Sequence, residues 1–112
     1  MSPLIEIRSY NLKSGTRDEF HRLFLEEAFP MLRRWHVDVV AYGPSLHDPN
    51  SYYLIRGFDS LSQRDESENA FYGSDEWREG PRAAILALIE NYTEIVLALD
   101  ETTIQGMRNA QH

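Results

Sequence analysis

The sequence predicts a single α+β domain whose strands and helices follow the order βαββαβ, and three observations carry that expectation. The chain has 112 residues, the usual size of one domain. Four segments alternate apolar and polar residues with the two-residue period of a strand. Between them lie stretches with helix signals, one an apolar stripe after Gly15 and one a capped run ending at Gly73.

Leu4 to Leu12 reads as the first strand, with Ile5 and Ile7 on one face and Glu6, Arg8 and Tyr10 on the other. Lys13-Ser14-Gly15 ends it, and Thr16 with Glu19 matches a capping box. From Arg17 to Trp35, the residues Phe20, Leu23, Phe24, Ala28, Met31, Leu32 and Trp35 form one apolar stripe. Pro30 lacks an N–H and crowds the carbonyl of Glu26, which predicts a kink or a break there. Leu25 and Phe29 fall off the stripe and point to a second contact surface.

Val37 to Tyr42 reads as the second strand, closed by Gly43-Pro44, and Ser51 to Phe58 as the third, with a turn over His47-Asp48-Pro49-Asn50. Tyr53, Ile55 and Gly57 share one face of the third strand; Tyr52, Leu54, Arg56 and Phe58 share the other. Asp59-Ser60 caps a second helix running to Tyr72, and Ser74 caps a short turn containing Trp77. Pro81 suits the first position of a helix from Arg82 to Glu90, and Tyr92 to Leu99 is the last strand. The domain core is therefore expected over 3–99, with 100–112 as a loosely held polar tail.

This order is the split βαβ, ferredoxin-like arrangement, with helices on one face of a four-stranded antiparallel sheet. Parity gives the face away from the helices Tyr10, Tyr42, Tyr52, Leu54, Phe58, Tyr92 and Val96, mixed with Glu6, Arg8, Arg56 and Glu94. A monomer would leave that apolar face in water, so a second copy is the expected cover and the chain is expected to be a homodimer.

Composition removes several functions. Hydrophobic residues make up 42% and aromatic residues 12%, enough for a true core. Eighteen acidic against eleven basic residues give a net charge of −7, which repels phosphate backbones and anionic lipid, so neither nucleic acid nor membrane is an expected partner. With no cysteine there is no disulfide, thiolate nucleophile or thiolate zinc ligand, in keeping with a cytoplasmic location. No signal segment or membrane-length apolar run is visible. Arg33-Arg34 complements the negative end of its helix.

The segment Glu6-Ile7-Arg8-Ser9-Tyr10-Asn11-Leu12-Lys13-Ser14-Gly15, followed by an amphipathic helix with Pro30 and Arg33-Arg34, resembles the opening of NIPSNAP proteins. Asn50 with Phe58-Asp59-Ser60-Leu61 is similar to that family's second signature, and Asp75-Glu76-Trp77 with Glu79 to its third. Ser14 stands where the family usually has proline, and Phe58 where it often has tyrosine. The resemblance covers Leu4 to Leu99 and implies a dimeric α+β barrel, in which two ferredoxin-like sheets close face to face. Relatives by fold include cofactor-independent monooxygenases, and fold alone does not transmit function.

Seven residues are candidate ligand contacts: Glu6, Arg8, Tyr10, Tyr42, Arg56, Phe58 and Trp77. The guanidinium groups offer a fork for a carboxylate, phenolate or enolate, and the aromatic rings a lining for a flat ligand. The competing reading is a buried ion-pair network satisfied by Glu6 and Glu94, beside aromatic residues that serve an interface. His21, His36, His47 and His112 lack metal-ligand spacing, so no metal is expected, and no cofactor is expected either. His36-Val37-Asp38 sets an imidazole and a carboxylate on one side of a strand, a possible proton-transfer pair. No Gly-x-Ser-x-Gly elbow or glycine-rich phosphate loop is present, and Glu26-Glu27 and Asp65-Glu66 fall on solvated helix faces. Two functions remain open: a small-ligand-binding or interaction module with a pocket between sheet and helices, or a cofactor-independent, monooxygenase-like enzyme acting on an anionic, quinol-like aromatic.

Overall fold

The computed structural model describes residues 3–110. Four antiparallel strands, β1 (Leu4–Leu12), β2 (Asp38–Pro44), β3 (Ser51–Phe58) and β4 (Ile89–Ala98), form one sheet in the order β2-β3-β1-β4. Between β1 and β2 run α1 (Arg17–Leu23), a π turn (Phe24–Ala28) and α2 (Phe29–Arg34). Between β3 and β4 run α3 (Leu61–Tyr72), α4 (Asp75–Glu79) and α5 (Arg82–Leu86). A last helix, α6 (Glu101–Asn109), follows β4. This is the expected ferredoxin-like α+β sheet.

The break expected at Pro30 takes the form of the π turn just ahead of it. The wider turn accommodates a ring that cannot donate to the carbonyl four residues back. The helix then ends with His36 in the left-handed region (φ 58°), and Val37 N–H donates to the Leu32 carbonyl at 2.9 Å. That is a Schellman closure with histidine where glycine is usual. His36 therefore lies in a turn, not on a strand beside Asp38. Asp38 opens β2 and is held by both ends of the Arg108 guanidinium at 2.6 and 2.7 Å. The expected capping box also fails. Thr16 makes no side-chain bond to the helix, and its hydroxyl donates back to the Lys13 carbonyl at 2.7 Å. Ser60 and Ser74 do cap α3 and α4, accepting from Gln63 N–H and Trp77 N–H. The helix after Pro81 stops at Leu86, because the chain pairs with β1 from Ile89 onward, opposite Leu12.

Parity separates the two faces of the sheet correctly, but the face expected to lie away from the helices is the one that α1–α3 cover. Tyr10, Tyr52 and Leu54 face the helices and pack with Phe20, Leu23, Phe24, Met31, Leu32 and Phe71 in the main core. The opposite face carries Ile5, Ile7, Ile55 and Leu97 and receives α6, whose Ile104 has 0% exposure. The physical reason is that both faces are apolar enough to be buried, and alternation alone does not say which one the larger aromatic stripe of α1–α2 will take.

Within the segment expected as a loose polar tail, Glu101–Asn109 is thus a seated helix, capped by Asp100, which accepts from Thr103 N–H at 2.7 Å, and 111–112 lie outside the described residues. Ile104→Ala should cost about 2–5 kcal/mol, the range for truncating a fully buried aliphatic side chain. Chemical denaturation measures it, and a loss near zero would mean that α6 is not seated on the sheet in solution.

Candidate functional site

The sheet register brings opposite charges together before any helix is added. In the β1–β3 pairing Glu6 stands directly across from Arg56, and in the β1–β4 pairing Arg8 stands directly across from Glu94. All four point toward α3, because each lies on the Tyr10 face. From α3, Arg64, Glu68 and Tyr72 come down at helical spacing onto the same spot.

The resulting network is dense. Arg56, 1% exposed, donates to Glu6, to Glu68 at 3.1 Å and to the Tyr72 hydroxyl at 2.9 Å. Arg8 donates to Glu94 at 2.7 Å and to the same Tyr72 oxygen at 3.1 Å, and lies 3.6 Å from Glu68. Arg64 bonds Glu6 at 2.7 Å and reaches Glu94 at 3.3 Å. Glu6, 0% exposed, has a carboxylate oxygen within 4.8 Å of one on Glu68, so a proton on Glu68 can be shared between them as a hydrogen bond. Two carboxyls joined in this way hold one proton between them.

Their titrations are driven apart. Burial opposes charge on Glu6, but the bond to Glu68 and the Arg56 guanidinium outweigh it and hold Glu6 at about 2. Burial and the bond to Glu6 push Glu68 up to about 7, against the pull of Arg56 and Arg8. Burial also pushes the Tyr10 and Tyr52 phenols up, so both are neutral near pH 7.

Beside this network a cavity of about 470 Å³ opens between the sheet and α3–α5. Its floor is Arg8, Tyr10, Tyr92 and Glu94; one wall is Glu68, Asn69 and Tyr72, and the other Trp77, Arg82, Ile85 and Leu86. Of the expected contacts, Arg8, Tyr10 and Trp77 line it. Arg56 lies behind Glu68 as its ion-pair partner, and Glu6 is paired in turn with Arg56. Tyr42 packs instead against Phe24 and Phe29, and Phe58 borders a separate cleft with His36 and Gln63. The placement of Glu6, Arg8 and Arg56 on the face away from the helices is overturned, and with it their position inside a closed barrel.

Sequence reasoning missed Glu68, Tyr72, Arg64 and Arg82. The available signal was the spacing of Arg64, Glu68 and Tyr72, four residues apart on a helix that lacks an apolar stripe. Carboxylate oxygens of Glu6, Glu68 and Glu94 lie within 4.8 Å of one another. The three arginines already occupy them, so the cluster is an ion-pair network and not a cation cage.

Comparison with known proteins agrees with this architecture. The NIPSNAP family model matches residues 5–101. A NIPSNAP family protein from Agrobacterium tumefaciens superposes with TM-score 0.81 at 20% identity, covering 90% of this chain and 89% of that one. A second from the same organism, described as of unknown function, gives 0.79 at 25% identity over 86% of each chain. A putative antibiotic biosynthesis monooxygenase from Nitrosomonas europaea gives 0.65 at 11% identity, covering 86% of this chain and 97% of that one. No curated protein sequence matches.

The carboxyl pair fixes a pH dependence of stability. Glu68, raised from 4.5 to about 7, contributes stability that is full below 4.5 and lost as pH rises through about 7. Glu6, lowered from 4.5 to about 2, contributes stability that is full above 4.5 and lost as pH falls through about 2. Between about pH 5 and about pH 8 the protein should lose up to about 3 kcal/mol from this source, and Glu68→Gln should flatten that limb. Denaturant melts across the range test it; an unchanged slope in the variant would remove Glu68 as the cause.

Proposed function

This chain belongs to the NIPSNAP family, and from that premise we propose that it binds a small ring-bearing anion in the cavity between α3–α5 and the sheet, and works as a homodimer. The reading rests on the lining of that cavity. Four aromatic rings, Tyr10, Tyr72, Trp77 and Tyr92, offer flat surfaces, and Arg82 stands in the wall with no ion-pair partner among the described residues. A ring held against these faces would set its anionic group toward Arg82 and Arg8. Arg56 is not a ligand contact in this reading. It does not line the cavity, and its terminal nitrogens hold Glu6, Glu68 and Tyr72.

The monooxygenase-like alternative draws only on a shared fold at low identity, so the binding reading leads. A cytoplasmic location is in keeping with a chain that contains no cysteine. Among the described residues no helix is long and apolar enough to cross a membrane.

Wild-type protein should bind at least one of benzoate, salicylate and 4-nitrophenolate near pH 6, read by calorimetry and thermal shift. Arg82→Gln should weaken that binding about tenfold, the scale of one charge-assisted hydrogen bond, without loss of fold because Arg82 is exposed. Binding unaffected by the substitution would move the ligand out of this cavity.

Dimerisation is assigned to the outer face. Beside α6, Ile7, Tyr53 and Leu97 are only partly covered and Ile95 is 61% exposed, all on one side of the sheet. A second sheet packed there would remove these side chains from water. Sedimentation equilibrium at micromolar concentration should give twice the chain mass, and Ile95→Lys should give the single-chain mass. A monomeric wild type would refute the assignment.

A further inference from the structure

The cavity and the carboxyl pair meet at one side chain. Glu68 lines the cavity on one side and on the other brings a carboxylate oxygen within 4.8 Å of one on the buried Glu6. The groups facing it are Glu6 and Arg8 on β1, Arg56 on β3, Glu94 on β4, and Arg64 and Tyr72 on its own helix. Three guanidinium groups balance three carboxylates when all are ionised, so the network is then neutral. With one proton held between Glu6 and Glu68 it carries one positive charge, next to the cavity wall. Arg8 and Arg56 also each keep a buried Nε–H without a hydrogen-bond partner, so the network is rich in donors and short of acceptors.

We propose that the cavity takes up its ring-bearing monoanion together with one proton, the proton residing on the Glu68 carboxyl and shared with Glu6. The inference rests on the small-anion reading of the cavity and adds what selects the ligand's charge. The proton comes from solvent when the ligand arrives ionised. When the ligand is a phenol, its own O–H bond breaks, the electron pair stays on the phenolic oxygen, and the proton bonds to a Glu68 oxygen. In both cases the bound state pairs one negative ligand with one net positive network. An anion entering while both carboxyls are ionised meets a neutral wall and the nearby Glu68 charge, and gains much less. The position of Glu68 near 7 sets this exchange in the neutral range.

The test uses benzoate, salicylate and 4-nitrophenolate with the full-length protein. In the wild type, the affinity for benzoate should fall about tenfold per pH unit above about pH 7, the slope of one linked proton. Calorimetry in two buffers of different ionisation heat, near pH 8, should show uptake of about one proton per ligand bound. Glu68→Gln holds position 68 permanently uncharged, and with it the network at one positive charge. It should take up no proton and should lose the alkaline decline, and so bind more tightly than wild type above pH 8. Arg82→Gln should weaken binding at every pH while keeping the wild-type slope. A wild-type affinity that is flat from about pH 6 to about pH 9 overturns the inference and leaves the cavity reading standing. So does a decline that persists unchanged in a folded Glu68→Gln. Failure of all three probes to bind wild type near pH 6 overturns both.

Discussion

The contact between Glu6 and Arg56 holds the architecture of the site together. Both side chains are essentially sealed from water, and each is bonded to groups on α3: Glu6 to Arg64, and Arg56 to Glu68 and Tyr72. Helix α3 has few apolar residues with which to dock, and of its side chains only Phe71 is buried in the core. It is fastened to the sheet mainly by charge. Removing one partner of such a pair typically costs about 3–5 kcal/mol, whereas replacing the whole set with apolar groups can be neutral or stabilising. A network of that kind is therefore weak as a stability device. It is better understood as a device that fixes where α3 sits, and so where the cavity wall stands.

Strand alternation in β1, β3 and β4 made much of this legible. It put Glu6, Arg8, Arg56 and Glu94 on one face, and the register then set them opposite one another. What alternation lacks is a direction. The Ile5 face and the Tyr10 face are both apolar, and the choice between them was made by size: the large rings of Tyr10 and Tyr52 meet Phe20 and Phe24 at centroid distances of 5.0–5.9 Å. The smaller aliphatic face was left for α6. That helix was illegible because its apolar content is slight, with Ile104 and Met107 as the apolar residues that pack on the sheet. Long-range contact, absent from the local pattern, decided its fate. The capping box at Thr16 failed for a related reason. Gly15 adopts a left-handed turn (φ 78°) that brings the Thr16 hydroxyl back to Lys13.

The helix pattern of α3 carried information of a different kind. A stripe of Arg64, Glu68 and Tyr72 on a helix that must lie against a sheet predicts either an exposed helix or a polar interface. Glu6 and Arg56, already expected on the sheet, were the matching half. The two halves could be joined only once the correct sheet face was known, which is why the inverted assignment of faces hid the site as well as the core.

The charge balance of the network gives the cavity a property its shape alone lacks. Carboxylates and guanidiniums match in number, so a single proton is the difference between a neutral wall and a positive one. A fully paired network would bind anions poorly, because every guanidinium already has a partner and a ligand must compete with it. A network short of one carboxylate would carry a positive charge and bind them at any pH. Here the lower value of Glu6 and the raised value of Glu68 leave one proton in place across the acid and neutral range. Burial of Glu68, the guanidiniums around Glu6 and a proton shared between the two carboxyls separate those values, and the sharing is possible because β1 and α3 bring Glu6 and Glu68 close together. The same closeness is set by Arg56 and Arg64, which bind both acids at once. Fold, ion pairing and proton affinity are in this protein a single constraint, expressed at the wall of the cavity through Glu68.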